Sequence, residues 1–391
     1  MVYWKKNLLI VWICQFLAMV GMSAIVPFLP LFIRELGVTN LKDTAWWSGL
    51  VFAGPFFISL FLAPVWGSLG DRYGRKIMTL RAIFGLAVAQ IIIGFSQNIT
   101  QLFIGRLLQG ALSGFLPAAM ALIASNTPEE KTGYALGLLQ SSTAAGTVLG
   151  PLIGGVISDL FGFRFVFFSV GGLLIAISFV LLILVKEKNK ATGEKKYSLR
   201  ENFNLVVQNK ILLISSIMIT FAALGISFVR PIFVLYVETL HLSAKNLPTV
   251  TGALYSIVGI FSTISSAWWG KRVEKIGLRK SLIIASLLTA SMYAAHAFVQ
   301  NPYLLIPVRT ALGFGYGALL PLLFTSISNN VSNERKGGII GVGSSFQILG
   351  NMIGPLMGGF AVGVIGLRQA FLITAFFFVV TSFLSYKFLK K

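Results

Sequence analysis

Four arginines stand inside long apolar runs of this chain: Arg81, Arg106, Arg230 and Arg309. A charge at the centre of a bilayer costs about 2.5–3.5 kcal/mol even on the gentlest scale, so each guanidinium kept there needs a compensating role. Two roles fit. Its five donors can satisfy carbonyls freed where a proline disturbs a facing helix, or they can hold an anionic group of a ligand. Arg106 and Arg309 are matched copies 203 residues apart, and either role suits them. Arg230 has no such copy, since Val26 occupies the matching place, which favours a ligand role. Arg81 lies close enough to the end of its run to snorkel towards water.

None of the 12 Asp and Glu residues falls in mid-run. A cavity with positive charges and no negative ones should prefer anionic or zwitterionic amphipaths. Met19, Met22, Phe228, Tyr255 and Phe346 are the apolar residues expected to line it, with Gln109, Gln140, Gln347 and Asn351 as neutral hydrogen-bonding groups. Methionine adapts its shape, so such a lining suits loose recognition of flat hydrophobic molecules. Enzyme chemistry has no support: there is no P-loop, His-Glu-x-x-His or Gly-x-Ser-x-Gly, and two His with one Cys cannot build a usual zinc site. No metal and no cofactor are expected. A receptor would need a sizeable binding domain, and no loop is long enough for one.

The elements that must carry these residues follow from composition. Of 391 residues, 56% are hydrophobic and only 11% charged, and the mean hydropathy is +0.83. Water cannot accommodate that balance, whereas a spanning helix needs about 20 apolar residues. Apolar runs at 8–33, 46–69, 77–96, 99–124, 133–158, 164–185, 211–237, 247–270, 280–299, 302–328, 337–364 and 367–388 predict an all-α membrane protein of twelve spans. They are apolar throughout, which excludes a barrel with its period of two. The first run, after Lys5 and Lys6, is too long for a signal-peptide core and has no small-residue cleavage site, so it should stay as a helix. Lone Cys14 reads as a packing residue.

A net charge of +20 would suggest nucleic acid in a soluble protein. The basic residues instead alternate between loops: 23 of 32 fall on one side, five on the other and four within spans. That asymmetry places both termini in the cytoplasm, because cytoplasmic loops retain Lys and Arg during insertion. The expected partners are therefore membrane lipid and a small amphipathic molecule, with no nucleic acid and the chain as a monomer.

A polar stretch separates two six-span halves, giving segments 1–186, 187–209 and 210–391, and the halves repeat. Gly67-Ser-Leu-Gly-Asp71-Arg72-Tyr-Gly74 is echoed by Gly270-Lys-Arg-Val-Glu274-Lys275-Ile-Gly277. Arg106-x-x-x-Gly110 is echoed by Arg309-x-x-x-Gly313, and Pro27 by Pro231. Gly146-x-x-x-Gly150-Pro151-x-x-Gly154 is echoed by Gly350-x-x-x-Gly354-Pro355-x-x-Gly358. Small residues every fourth position permit close helix packing, and a mid-helix proline can add a kink.

The loop Gly67 to Gly74 with Arg75 and Lys76, the Arg106-x-x-Gln109-Gly110 run and the Gly146 to Gly154 run together resemble the signature motifs of the major facilitator superfamily, twelve-span drug:proton antiporter group. The resemblance covers nearly the whole chain. It implies two pseudo-symmetric six-helix bundles exporting amphipathic organic compounds by alternating access, with the proton gradient as energy source. It further implies that Gly67, Asp71, Arg72, Gly74, Arg75 and Lys76 form a conformational latch near the start of span eleven, that the Gly146 run seals the closed exporter, and that span nine, with His296, is peripheral and holds no ligand. Many related antiporters carry an acidic residue in span one or four that takes the proton. This sequence lacks it, so a dedicated exporter of an anionic metabolite, such as a carboxylate-rich siderophore, remains open beside the multidrug reading.

Overall fold

The computed structural model describes residues 3–187, 198–240, 246–332 and 335–389. Among them are twelve helices long and apolar enough to cross a membrane. A backbone in hydrocarbon has no water to bond, so it must close its own hydrogen bonds, and helix formation follows from that requirement.

Span one is α1 (Tyr3–Ile25), a 3-10 turn at Val26–Phe28 and α2 (Leu29–Glu35). Spans two and three are α3 (Leu41–Tyr73) and α4 (Arg75–Gly94), and span four is α5 (Ile99–Leu112) with α6 (Phe115–Asn126). Spans five and six are α7 (Glu129–Phe161) and α8 (Phe163–Leu184). A short α9 (Leu199–Gln208) precedes span seven, made of α10 (Lys210–Phe228) and α11 (Phe233–Glu238). Spans eight to twelve are α12 (Leu247–Ile276), α13 (Leu278–Phe298), α14 (Leu305–Asn329), α15 (Lys336–Ile365) and α16 (Leu367–Phe388). The breaks in spans one and seven fall at the matched Pro27 and Pro231, where a backbone N–H is missing. Gly74 and Gly277, at φ +102° and +83°, make the matching tight turns into spans three and nine.

Packing divides the chain into two units: Met1–Val38 with Gly54–Gly193 and Ser243–Ser256, and Thr39–Ala53 with Glu194–Leu242 and Ile257–Lys391. These units follow the two sequence halves except at two places. The first stretch of span eight packs in the first unit, and the first stretch of span two in the second. In the first unit α1 lies along α7 and α8, and α4 along α8. In the second, α10 lies along α15, and α13 lies on α14 and α16. Cys14 is buried at 1% exposure, as expected of a packing residue.

The glycine runs explain how closely these helices meet. A Cβ at Gly146 would fall 2.6 Å from the Phe16 carbonyl oxygen, and one at Gly150 2.5 Å from that of Val20. The second unit repeats the geometry at Gly350 on Thr220 and Gly354 on Leu224, each 2.6 Å from the carbonyl oxygen. Gly154 and Gly358 press in the same way on Ala24 and Phe228. Helices α7 and α15 continue through Pro151 and Pro355 without a break.

Span four departs from the unbroken run read in the sequence. It opens at Ser113 and Gly114, the latter at φ +110°. The reason lies in Pro117, which has no N–H to give the Ser113 carbonyl. That carbonyl accepts instead from Arg81 Nη2 at 2.8 Å, and the Ala111 carbonyl accepts from Trp66 Nε1, also at 2.8 Å. Arg81 therefore does not snorkel. Its guanidinium is turned inward, 3.7 Å from the centre of the Trp66 ring, and braces the break.

Candidate functional site

Arg106 sits on α5 at 7% exposure, and its Nη1 donates to Gln109 Oε1 at 2.6 Å. Residues three apart share a helix face, so the two groups proposed separately from sequence form one paired unit. The helix carrying them is seated hard on α3: a Cβ at the adjoining Gly110 would collide with the Pro55 backbone. Gln15 belongs with this interior and was not singled out in the sequence. It is fully buried on α1 and donates to Leu139 O at 3.0 Å and Thr143 Oγ1 at 2.7 Å. An amide within an apolar run was the signal that could have found it.

Arg309, the matched copy, is 5% exposed, and its guanidinium lies 4.0 Å from the centre of the Phe233 ring. A desolvated cation over a ring gains about 2 kcal/mol, enough to hold the side chain in place. His296, on α13, is fully buried, stacked on Phe371 at 5.1 Å and 9°, with Nδ1 2.7 Å from Met292 O. Tyr236 donates to its backbone carbonyl at 2.6 Å. Helix α13 packs on α14 and α16, which closes off the face carrying His296, while Ile284 and Leu287 on its other face are 49% and 48% exposed.

Arg230 occupies the turn between α10 and α11, directly before Pro231, and is half-buried. The expected lining residues divide. Met22, Tyr255, Phe346, Gln347 and Asn351 are half-buried and Gln140 is exposed. Met19 is buried at 6% and Phe228 at 1%, the latter against Phe377 at 5.9 Å. Both pack helix on helix, because the glycine runs draw α1 and α10 onto α7 and α15. Asn351 Oδ1 accepts from Ser227 Oγ at 2.6 Å, tying α15 to α10.

The loop from Gly67 to Lys76 is held by a group the sequence reading did not use. Glu187, just beyond span six, accepts from the backbone N–H of Arg75 at 2.9 Å and of Lys76 at 3.1 Å, satisfying orphan donors at the start of α4. Arg75 Nη1 donates to Ala121 O and Lys76 Nζ to Leu182 O, at 2.8 and 2.7 Å. Arg72 is exposed beside the Tyr73 ring, and a Cβ at Gly67 would meet open space. The side chain of Asp71 lies outside the described residues.

A second fastening joins span five to span eight within the first unit. Asp159 Oδ2 accepts from Thr249 N at 2.9 Å and from the Thr249 hydroxyl. Beside it, a Cβ at Gly155 would fall 2.6 Å from Pro248 O, and one at Gly252 would strike Pro151 O. Within the second unit, Gly359 and Gly49 repeat this seat on Ala45 and Pro355, where span eleven meets the start of span two.

A twofold-repeated helical membrane protein, with half-helix breaks at matched prolines and buried arginines in matched spans, defines a carrier of the alternating-access class. The profile of the Major Facilitator Superfamily matches residues 11–273 and again 216–391. The chain belongs to the major facilitator superfamily. It is 37% identical over 373 residues to the multidrug resistance protein MdtG of Escherichia coli, covering 95% of this chain and 91% of that one. It is 38% identical to MdtG of Enterobacter lignolyticus, covering 95% and 89%. Solved structures share the fold: a bacterial homologue of the human lysosomal transporter Spinster, inward-facing and unoccupied, superposes with a TM-score of 0.82 at 16% identity, covering 98% of this chain and 96% of that one. The nucleoside transporter NupG does so at 0.79 and 14% identity, covering 98% and 100%.

Proposed function

We propose that this protein is a secondary active transporter exporting amphipathic organic compounds across the bacterial inner membrane, with the proton gradient as its energy source and both termini in the cytoplasm. The observation that carries the reading is the near full-length similarity to proteins named for multidrug resistance, on a fold whose two halves repeat. The basic residues concentrated in alternate loops support the orientation.

Within that function, the charge distribution favours anionic or zwitterionic substrates. Arg106 and Arg309 are buried at the same depth of their spans, Arg230 stands at the broken turn of span seven, and the sequence offers no mid-span carboxylate to attract a cation. A single exported anionic metabolite fits the same charges. Proteoliposomes with an imposed pH gradient test both points by competition between cationic dyes and anionic compounds. Uptake driven by the gradient and blocked better by anions supports the reading. Transport blocked only by cations overturns the anionic preference, and transport indifferent to the gradient overturns proton coupling. Arg230→Lys should keep part of the binding and Arg230→Met lose it, because the lysine retains charge without the bidentate fork.

A further inference from the structure

At the end of the second unit where spans seven and nine begin and span twelve finishes, three cations from three helices rest on aromatic rings. Lys210 Nζ on α10 lies 5.2 Å from the centre of the Phe388 ring, and Lys387 Nζ on α16 lies 5.4 Å from it. The Arg279 guanidinium on α13 lies 4.7 Å from the Tyr386 ring, which is itself 64% exposed. Helix α16 packs against both α10 and α13, and Lys210 and Lys387 share the Phe388 ring at its end. Next to Lys210 in the chain, α9 packs on α10 and α15 with Asn202 and Val206 turned inward, leaving Phe203 and Val207 exposed one helical turn apart at 49% and 46%.

The first half handles the same place differently. Lys6 and Lys76 correspond to Lys210 and Arg279, and there the chain supplies its own anion, the Glu187 carboxylate, which accepts from the Arg75 and Lys76 backbone. The residue corresponding to Glu187 in the second half is Lys390. In the first half the carboxylate is built onto the start of span three.

We propose that this patch binds the headgroup of an anionic phospholipid from the adjoining leaflet. Phosphate headgroups neutralise these cations, and the acyl chains cover the apolar surface beside them, including the exposed face of α9. A soluble anion satisfies the charges but leaves those apolar faces in water, so lipid is the occupant that fits both features. The name of the leaflet, cytoplasmic, rests on the proposed orientation of the termini; the binding itself does not.

The test places an environment-sensitive fluorophore at Phe383→Cys in a Cys14→Ser background and reconstitutes the full chain in nanodiscs of neutral phosphatidylcholine. Brominated phosphatidylglycerol should quench it with about threefold selectivity over brominated phosphatidylcholine, and 0.5 M salt should lower that ratio towards about one. The triple variant Lys210→Gln, Arg279→Gln, Lys387→Gln should show a ratio of about one, whereas Lys5→Gln, Lys6→Gln should keep it. Should the triple variant fail to assemble, Lys387→Gln alone, at an exposed position, should still reduce the selectivity. A wild-type ratio of one, an unchanged ratio in the triple or single variant, or relief of quenching by millimolar soluble glycerophosphate overturns the assignment. The readout needs no transport, so its failure is distinct from a failure of the exporter reading.

Discussion

Asp159, near the end of span five, fastens the first turn of span eight by accepting from both the backbone N–H and the hydroxyl of Thr249. The carboxylate meets a helix N-terminus, where orphan donors and the macrodipole favour negative charge. Carriers must break one end of their structure in every cycle, and a fastening of this kind is strong enough to hold and weak enough to release.

Asp159→Ala should therefore loosen this end by about 1 kcal/mol, a shift of roughly fivefold in the open population. A thiol placed at Leu152→Cys in a Cys14→Ser background reads it: labelling by an impermeant reagent should accelerate several-fold. Unchanged labelling would show that the Gly155 and Gly252 contacts hold the joint alone.

Gly252→Ala puts a methyl group onto the Pro151 carbonyl, and Gly49→Ala does the same at Pro355. Glycine to alanine within a helix normally stabilises by about 1 kcal/mol, and the open position Gly137 should show that gain. The two seat variants should instead lose transport and melt at lower temperature. Equal behaviour of Gly252→Ala and Gly137→Ala would refute the close contact.

Arg81→Met removes the donor that serves the half-buried Ser113 carbonyl, leaving that acceptor unpaired at a cost of about 1 kcal/mol. The melting temperature of purified protein should drop accordingly, and Arg81→Lys should recover part of it. A neutral outcome for Arg81→Met would mean that Trp66 suffices, as Trp269 does in the second half, where it donates to Phe314 O at 3.0 Å and Ile284 stands in place of Arg81.

Orientation is tested by Ala191→Cys in a Cys14→Ser background. Impermeant reagents outside intact cells should leave it unlabelled and should reach it once the membrane is opened. Labelling from outside would reverse the proposed topology.

Hydropathy, loop charge and internal repetition determined a great deal without any structure. A helix in hydrocarbon must be long, apolar and self-bonded, so all twelve spans were legible as runs, and the echoed motifs announced two equivalent halves. The glycine spacing likewise foretold close helix contacts, since only small residues let backbones approach. Which partner each side chain meets is a different kind of information. His296 and Phe228 look like many other residues in apolar runs, and only the packing of α13 and α10 shows that both are sealed away. The pairing of Arg106 with Gln109 lay within one helical turn and could be read locally. Arg81 with Ser113, Glu187 with Arg75 and Asp159 with Thr249 join residues 32, 112 and 90 positions apart. Hydropathy has no term for such meetings, because they depend on where helix ends come to rest in three dimensions, and there the tertiary structure alone decided.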